Sequence, residues 1–215
     1  MEKPIDGRME MTHFQWGPAG LVAVNDPAGY YITTHHYDLK GRLIRQDHPD
    51  QGASHISLSY NFRDEVVLTE NSLGFVQTNQ YDILGRLKER HNQDGATYYR
   101  YDTGLPNSAS LDRLTETEWP NGVIVNYTFN DKGQLEAVTH HDGSESYQLA
   151  YNSYTPQDQL ESITYPYGSN TSQHLVTEYQ YTPSGYLKAI EGLNRTLSSI
   201  GDQNAAGQIL YQTQL

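Results

Sequence analysis

A seven-residue pattern recurs along this chain and restricts its folding more than any other feature. Tyr37-Asp38-Leu39-Lys40-Gly41-Arg42-Leu43 and Tyr81-Asp82-Ile83-Leu84-Gly85-Arg86-Leu87 both read Y-D-x-x-G-R-L. The looser template is an aromatic, a Gly four residues on and an aliphatic six residues on. It also finds Trp16/Gly20/Val22, Phe129/Gly133/Leu135 and Tyr181/Gly185/Leu187. Tyr60/Asp64/Val66 fits with Asp in the Gly place, and Gln203/Gly207/Ile209 is a worn last copy. Two copies read as carrying insertions: Tyr101-Asp102 leads to Asp112-Arg113-Leu114, and Tyr151-Asn152 leads to Asp158-Gln159-Leu160. The aliphatic anchors then follow one another at 21, 23, 21, 27, 21, 25, 27 and 22 residues. Residues 1–215 read as a single array of about nine repeats, from about residue 14 onward, after a lead-in over 1–13. A fixed period of this kind marks a repeat architecture.

About 21 residues is too short for a β-α-β repeat, which needs roughly 30, but it fits two strands and two turns. Second turn signals lie midway between anchors, at Pro49-Asp50-Gln51-Gly52, Asp94-Gly95, Pro120-Asn121-Gly122, Asp142-Gly143 and Pro166-Tyr167-Gly168. Asp-Gly and Asn-Gly favour tight hairpins. Tyr99 and Tyr101, Tyr127 and Phe129, and Tyr179 and Tyr181 fall two apart, so each pair projects from one strand face. The Asp or Asn after the aromatic can cap the backbone of the succeeding turn, and Gly closes it. Eighteen Tyr and 18 Gly, with only 36% hydrophobic residues, point to a sheet wetted on at least one face. The fold expected is all-β: tandem antiparallel β-hairpin repeats in a curved or spiralling sheet. Such a sheet has edges that must be capped, paired or hidden. No capping segment is evident at either end, so the expected neighbour is the rest of a longer chain or another copy.

The formal net charge of -12 and the lack of a Lys/Arg cluster argue against nucleic acid and against an anionic membrane surface. No apolar run approaches the roughly 20 residues of a membrane span. Cysteine is absent, which excludes disulfides and thiolate metal sites. The first residues lack the apolar region of a signal peptide, so export is expected as part of a larger chain or by a dedicated secretion route.

The repeated Y-D-x-x-G-R-L copies and the array around them resemble the Rhs/YD-repeat family. That family includes bacterial polymorphic toxins, the B and C components of insecticidal toxin complexes, and animal teneurins. The resemblance spans nearly the whole chain. It implies a β-ribbon spiralled into a hollow shell, which in the bacterial members encloses a toxin domain as cargo. It therefore implies a secreted bacterial protein whose wall is a container and not an enzyme. Nine repeats are fewer than a closed shell is expected to need, and no self-cleaving core region comes after them, so no cleavage residue is carried over.

Each chemistry-bearing group has a plain structural alternative. His35-His36 and His140-His141 are adjacent pairs whose members point to opposite strand faces, so neither pair chelates one ion easily. Asn92-Gln93-Asp94-Gly95 lacks the spaced ligands of a calcium loop. Glu116 and Glu118 share a strand face, as a solvated face would. There is no G-x-S-x-G or G-x-G-x-x-G segment. No catalytic, metal or cofactor site is therefore assigned. The alternative is a carbohydrate- or surface-protein-binding module using aromatics off the main columns: Trp16, Tyr30, Tyr31, Tyr98 and Tyr147. A hydrolase is the third reading.

Overall fold

The computed structural model describes residues 4–5, 8–9, 11–25, 32–48, 54–103, 110–166, 174–204 and 209–214. They form two compact units, Met1–Tyr98 and Tyr99–Leu215. The described strands of the first are β1 (Pro4–Ile5), β2 (Arg8–Met9), β3 (His13–Gly17), β4 (Gly20–Asn25), β5 (Ile32–Tyr37), β6 (Leu43–His48), β7 (Ser54–Tyr60), β8 (Val66–Asn71), β9 (Val76–Tyr81) and β10 (Leu87–Asn92). Strand β11 (Gly95–Tyr101) straddles the division. The second unit continues with β12 (Leu114–Glu118), β13 (Ile124–Phe129), β14 (Leu135–Asp142), β15 (Glu145–Tyr154), β16 (Leu160–Pro166), β17 (His174–Tyr181), β18 (Leu187–Gly192), β19 (Arg195–Gln203) and β20 (Ile209–Gln214).

Strands β1 and β2 form a small sheet of their own. Within each unit the remaining described strands pair antiparallel with their neighbours in chain order. The all-β hairpin-repeat class expected from the period is the fold. No described helix is long and apolar enough to cross a membrane.

Seven hairpins close with the same register. Tyr37 faces Leu43, Tyr60 Val66, Tyr81 Leu87, Phe129 Leu135, Tyr154 Leu160, Tyr181 Leu187 and Gln203 Ile209. One residue after the anchor the returning strand bulges. Ser59 pairs with Leu68 and Gln180 with Ala189, which leaves Val67 and Lys188 as the extra residues.

Three sequence expectations shift in register. The copy assigned to Tyr151 turns instead at Tyr154: Thr155 to Gln159 make an ordinary turn, and the surplus sits in β15 as a bulge between Tyr151 and Ser153. The first copy turns on Pro18-Ala19, with Gly17 facing Gly20 and Trp16 facing Leu21, so its anchor is Leu21 and Val22 is the displaced neighbour. On the opposite edge, Gln93-Asp94 and Gly143-Ser144 are the central pairs of two-residue turns, one residue away from the Asp-Gly pairs expected there. Leu193-Asn194 forms a similar turn with φ of 53° and 58°, both left-handed. Tyr30, Tyr31, Gly207, most of the Thr103–Leu111 insertion, and the turns expected at Pro49–Gly52 and Tyr167-Gly168 lie outside the described residues.

The described residues build no thick core. The buried apolar side chains among the described residues are Ala23, Val125, Ala137, Ile163 and Ala189, joined by buried Thr97, Thr115, Thr117 and Thr177. Ala23, Ala137 and Ala189 each stand two residues after an anchor, on the last rung that joins one repeat to the next. Stability therefore has to come from contacts between neighbouring strands, not from a central mass of side chains.

Candidate functional site

The recurring site is the turn after each aromatic. The residue next to the aromatic donates its N–H to the carbonyl four residues on, and the residue three on returns its N–H to the capping residue's own carbonyl. Asp38 N reaches Arg42 O at 2.9 Å and Gly41 N reaches Asp38 O at 3.0 Å, and the turns at Asn61, Asp82, Asn130, Thr155 and Thr182 repeat this. The returning residue sits at positive φ: Gly41 82°, Asp64 66°, Gly85 82°, Gly133 77°, Asp158 62° and Gly185 84°. Asp112 takes the same conformation in the inserted copy, at 60°. Gly and Asp tolerate this region better than other residues.

The capping side chain reads two further amides. Asp38 Oδ1 accepts from the Lys40 and Arg42 N–H groups, both at 2.9 Å. Asp82 Oδ1 accepts from Leu84 at 2.8 Å and Arg86 at 3.0 Å. Asn61, Asn130 and Thr155 do the same with the amides two and four residues on. The remaining cap atom selects the residue four on. The second oxygen of Asp38 and of Asp82 takes the guanidinium of Arg42 and of Arg86, both at 2.7 Å. Asn61 and Asn130 carry an NH2 there instead, and it donates to Glu65 at 2.6 Å and Gln134 at 2.7 Å. Hydrogen bonds from the Arg42 and Arg86 backbones hold Asp38 and Asp82 below the usual carboxylate range.

The same fourth-position side chains reach sideways. Arg42 bonds Asp64 of the next turn at 2.5 Å and lies over the Tyr60 ring at 4.6 Å. Gln134 bonds Asp158 at 2.7 Å, and Gln159 bonds the Gly185 carbonyl at 2.5 Å. Arg113 lies over Phe129 at 5.0 Å.

A second link joins repeat to repeat. At Leu43 and Leu160 the ladder between repeats stops two residues short of the anchor: Arg45 faces Ser57 and Ser162 faces Glu178, and no rung continues toward Leu43 or Leu160. The next repeat's tyrosine supplies the missing donor. Tyr37 OH donates to Leu21 O at 2.9 Å and Tyr60 OH to Leu43 O at 2.6 Å. Tyr81 OH donates to Val66 O at 2.9 Å, Tyr154 OH to Leu135 O at 2.7 Å and Tyr181 OH to Leu160 O at 2.6 Å. Burial raises the Tyr154 and Tyr181 phenols above their ordinary pKa. Gly20 belongs to this arrangement, because a Cβ there would stand 3.1 Å from the Tyr37 hydroxyl. Sequence reasoning assigns Tyr154 no role. The signal is Tyr154-Thr155-Pro156-Gln157-Asp158 beside Tyr181-Thr182-Pro183-Ser184-Gly185.

Trp16 on β3 is 73% exposed, Tyr98 lies on β11, and Tyr147 on β15 stacks on His140 with ring centres 4.8 Å apart. Glu116 and Glu118 are both held by the Arg100 guanidinium, and Glu116 also accepts from Asn126 at 3.0 Å. His36 bonds Asp47 at 3.0 Å. Among the described residues no three His, Asp or Glu side chains gather as a metal site would require.

Among the described carboxylates Asp47 is the one pulled down furthest. Hydrogen bonds from Arg45 first, then His36 and Thr34, lower it from 3.8 to about 2. Its folded value lies below its unfolded one, so its contribution is complete above about pH 4 and is lost as pH falls toward 2. Asp47→Asn is therefore expected to lower the urea midpoint at pH 6, by a margin that shrinks to a small fraction as pH falls to 2. A midpoint difference that persists unchanged at pH 2 would contradict this.

No protein-family profile and no curated protein matches the chain. Solved structures do. TcdB2-TccC3-TEV is 15% identical with a TM-score of 0.49, covering 96% of this chain and 13% of that one. The Photorhabdus luminescens Tc holotoxin pore carrying TccC3-D651A is 11% identical with a TM-score of 0.41, covering 87% and 15%. A porin-like protein from Bacteroides uniformis is 10% identical with a TM-score of 0.39, covering 98% and 92%. The chain thus spans about a seventh of the toxin chains it resembles. All of these similarities fall below a TM-score of 0.5, too low to assign a function, which has to come from this chain's own geometry.

Proposed function

We propose that this chain is a non-enzymatic wall segment of the Rhs/YD-repeat type, part of a secreted bacterial β-shell that encloses a toxin domain. The observation that carries the reading is the tyrosine bond to the preceding anchor carbonyl, present five times in the same register. A binding or catalytic site needs one unusual constellation. A wall needs one ordinary contact made again at every repeat, and here the repeated residues are spent on joining neighbours. The Y-D-x-x-G-R-L resemblance supplies the class of wall. Light scattering and small-angle X-ray scattering on one sample test it. A strongly curved or hollow particle, monomeric or closed by self-association, is the expected result. A compact solid monomer would overturn the reading and turn attention to glycan and protein binding.

A further inference from the structure

Two five-residue turns on the edge opposite the repeated ones share a backbone. Asn71 N donates to Phe75 O at 3.0 Å and Gly74 N to Asn71 O at 3.1 Å. Trp119 N donates to Val123 O and Gly122 N to Trp119 O, both at 2.9 Å. Gly74 and Gly122 take nearly the same left-handed φ, 86° and 84°. The turns differ in where the asparagine stands. Asn71 is the first residue, and its Oδ1 accepts from the Leu73 and Phe75 amides at 3.0 and 2.9 Å. In the second turn the first place belongs to Trp119, whose indole N–H donates and cannot cap. The asparagine is Asn121, directly before the glycine, and it accepts from the Val123 amide alone, at 3.2 Å. One side-chain bond holds this turn where the cap of its sister makes two.

That arrangement suits a reaction that needs no partner except water. The Cγ of an asparagine is open to attack by the backbone nitrogen of the next residue, and a glycine there leaves the path clear because it has no Cβ. Asn121-Gly122 is the one Asn-Gly pair in the chain. Both residues are exposed, and a Cβ on Gly122 would meet nothing within 4 Å. A bond to the amide two residues on folds the Asn121 side chain forward over the peptide that holds the nucleophile. The same Val123 N–H polarises the carbonyl to be attacked. The leaving group is unhindered, because no described residue accepts from the Asn121 side-chain amide. By contrast the side-chain amides of Asn61, Asn126 and Asn130 donate to Glu65, Glu116 and Gln134. The bond from Gly122 N to Trp119 O is the brake, since it must open before the nitrogen can attack. A turn without its cap opens more readily than a capped one.

We propose that Asn121-Gly122 is a self-modifying site, at which the chain converts its own asparagine into aspartate and isoaspartate with water as the co-reactant. The bond from Gly122 N to Asn121 Cγ forms and the Cγ–Nδ2 bond breaks. Nitrogen Nδ2 leaves as ammonia, carrying the proton that the Gly122 amide gives up. Water then opens the cyclic imide at either carbonyl. Opening at one gives aspartate, and opening at the other routes the backbone through the side chain and lengthens it by a methylene. Either product adds a negative charge to a chain that already carries -12. Isoaspartate also puts an extra backbone atom into the turn between β12 and β13, whose bonds are spaced for five ordinary residues. The inference uses this turn alone and stands apart from the wall reading.

The folded chain is held in mildly alkaline buffer for days and digested at acid pH. Each asparagine peptide is then weighed and assayed with isoaspartyl methyltransferase. Asn121 is expected to convert, with isoaspartate in excess, while Asn71 and Asn130 persist. Trp119→Asn leaves Asn121-Gly122 intact and restores the cap. It is expected to slow conversion about tenfold, the effect of one to two hydrogen bonds on a barrier. Trp119→Ala removes the ring without adding a cap and should not slow conversion. Trp119 is 48% exposed, so neither change touches the buried set, and unchanged circular dichroism checks that both variants are folded. An Asn121 that persists as long as Asn130 would overturn the proposal. So would equal rates in Trp119→Asn and Trp119→Ala, which would leave the turn without control of the reaction.

Discussion

Gly41→Val is expected to destabilise the N-terminal unit by about 2–3 kcal/mol, the cost of forcing a β-branched residue into the left-handed region. Gly41 sits at φ 82°, and a Cβ there would find only Ala19 Cβ, at 3.9 Å. Its cost is therefore backbone strain with almost no steric collision. Gly85 has the same φ, but its Cβ would stand 3.0 Å from Glu65 Oε1, so Gly85→Val adds a displaced carboxylate to the strain. The internal control is already written into the chain. Asp64, Asp112 and Asp158 occupy the equivalent position at 60–66°, so Gly41→Asn should cost less than about 1 kcal/mol. Urea midpoints followed by circular dichroism read all three variants. A Gly41→Val chain as stable as Gly41→Asn would mean that the turn does not need its left-handed residue, and the register built on it would fail.

That register was legible because its causes are local. An Asx cap, a left-handed residue and an anchor lie within seven residues, and each leaves a residue-type preference at a fixed offset. The preference of Asp for Arg four on, and of Asn for Glu or Gln, is the same bond read with the donor on either side. What the sequence hid depends on partners far along the chain. The tyrosine hydroxyls bond carbonyls 15 to 21 residues away, and a carbonyl carries no residue identity. The turn at Tyr154 was hidden differently. Counting from Tyr151 requires an insertion, and the structure puts the surplus into a strand bulge, which costs less than reshaping a turn whose amides are all satisfied. On the opposite edge, two-residue turns compete with five-residue ones such as Asn71–Phe75 and Trp119–Val123. An Asp-Gly pair does not by itself say which of the two will form, as Gly95 shows by pairing with Asn92 in place of a turn centre. The aromatics singled out for ligand contact, Trp16, Tyr98 and Tyr147, stand out by falling off the main columns. Position in a pattern says nothing about whether such residues converge in space.

Tyr60→Phe and Tyr181→Phe are each expected to cost about 1–3 kcal/mol, although each removes a single oxygen. The size comes from where the ladder ends. The Leu43 and Leu160 carbonyls lie beyond the last rung to the next strand, and the phenol is the donor that reaches them, at 2.6 Å in both cases. Removing one partner leaves a half-buried carbonyl without its bond, which costs more than an average hydrogen bond contributes. Tyr147→Phe is the control, since that ring stacks on His140 at an exposed position, and it should fall within about 0.5 kcal/mol of the unsubstituted chain. The two tests should also differ in character. A strained glycine damages one turn, whereas a lost hydroxyl weakens the junction between two repeats. In an array held mainly by nearest neighbours, a weaker junction lowers cooperativity as well as stability. Hydrogen exchange in Tyr60→Phe should therefore speed up on both flanking strands, β6 and β7, with the unfolding transition broadened. If Tyr60→Phe behaves like Tyr147→Phe, the hydroxyl is not the link between repeats, and the observation on which the wall reading rests is lost with it.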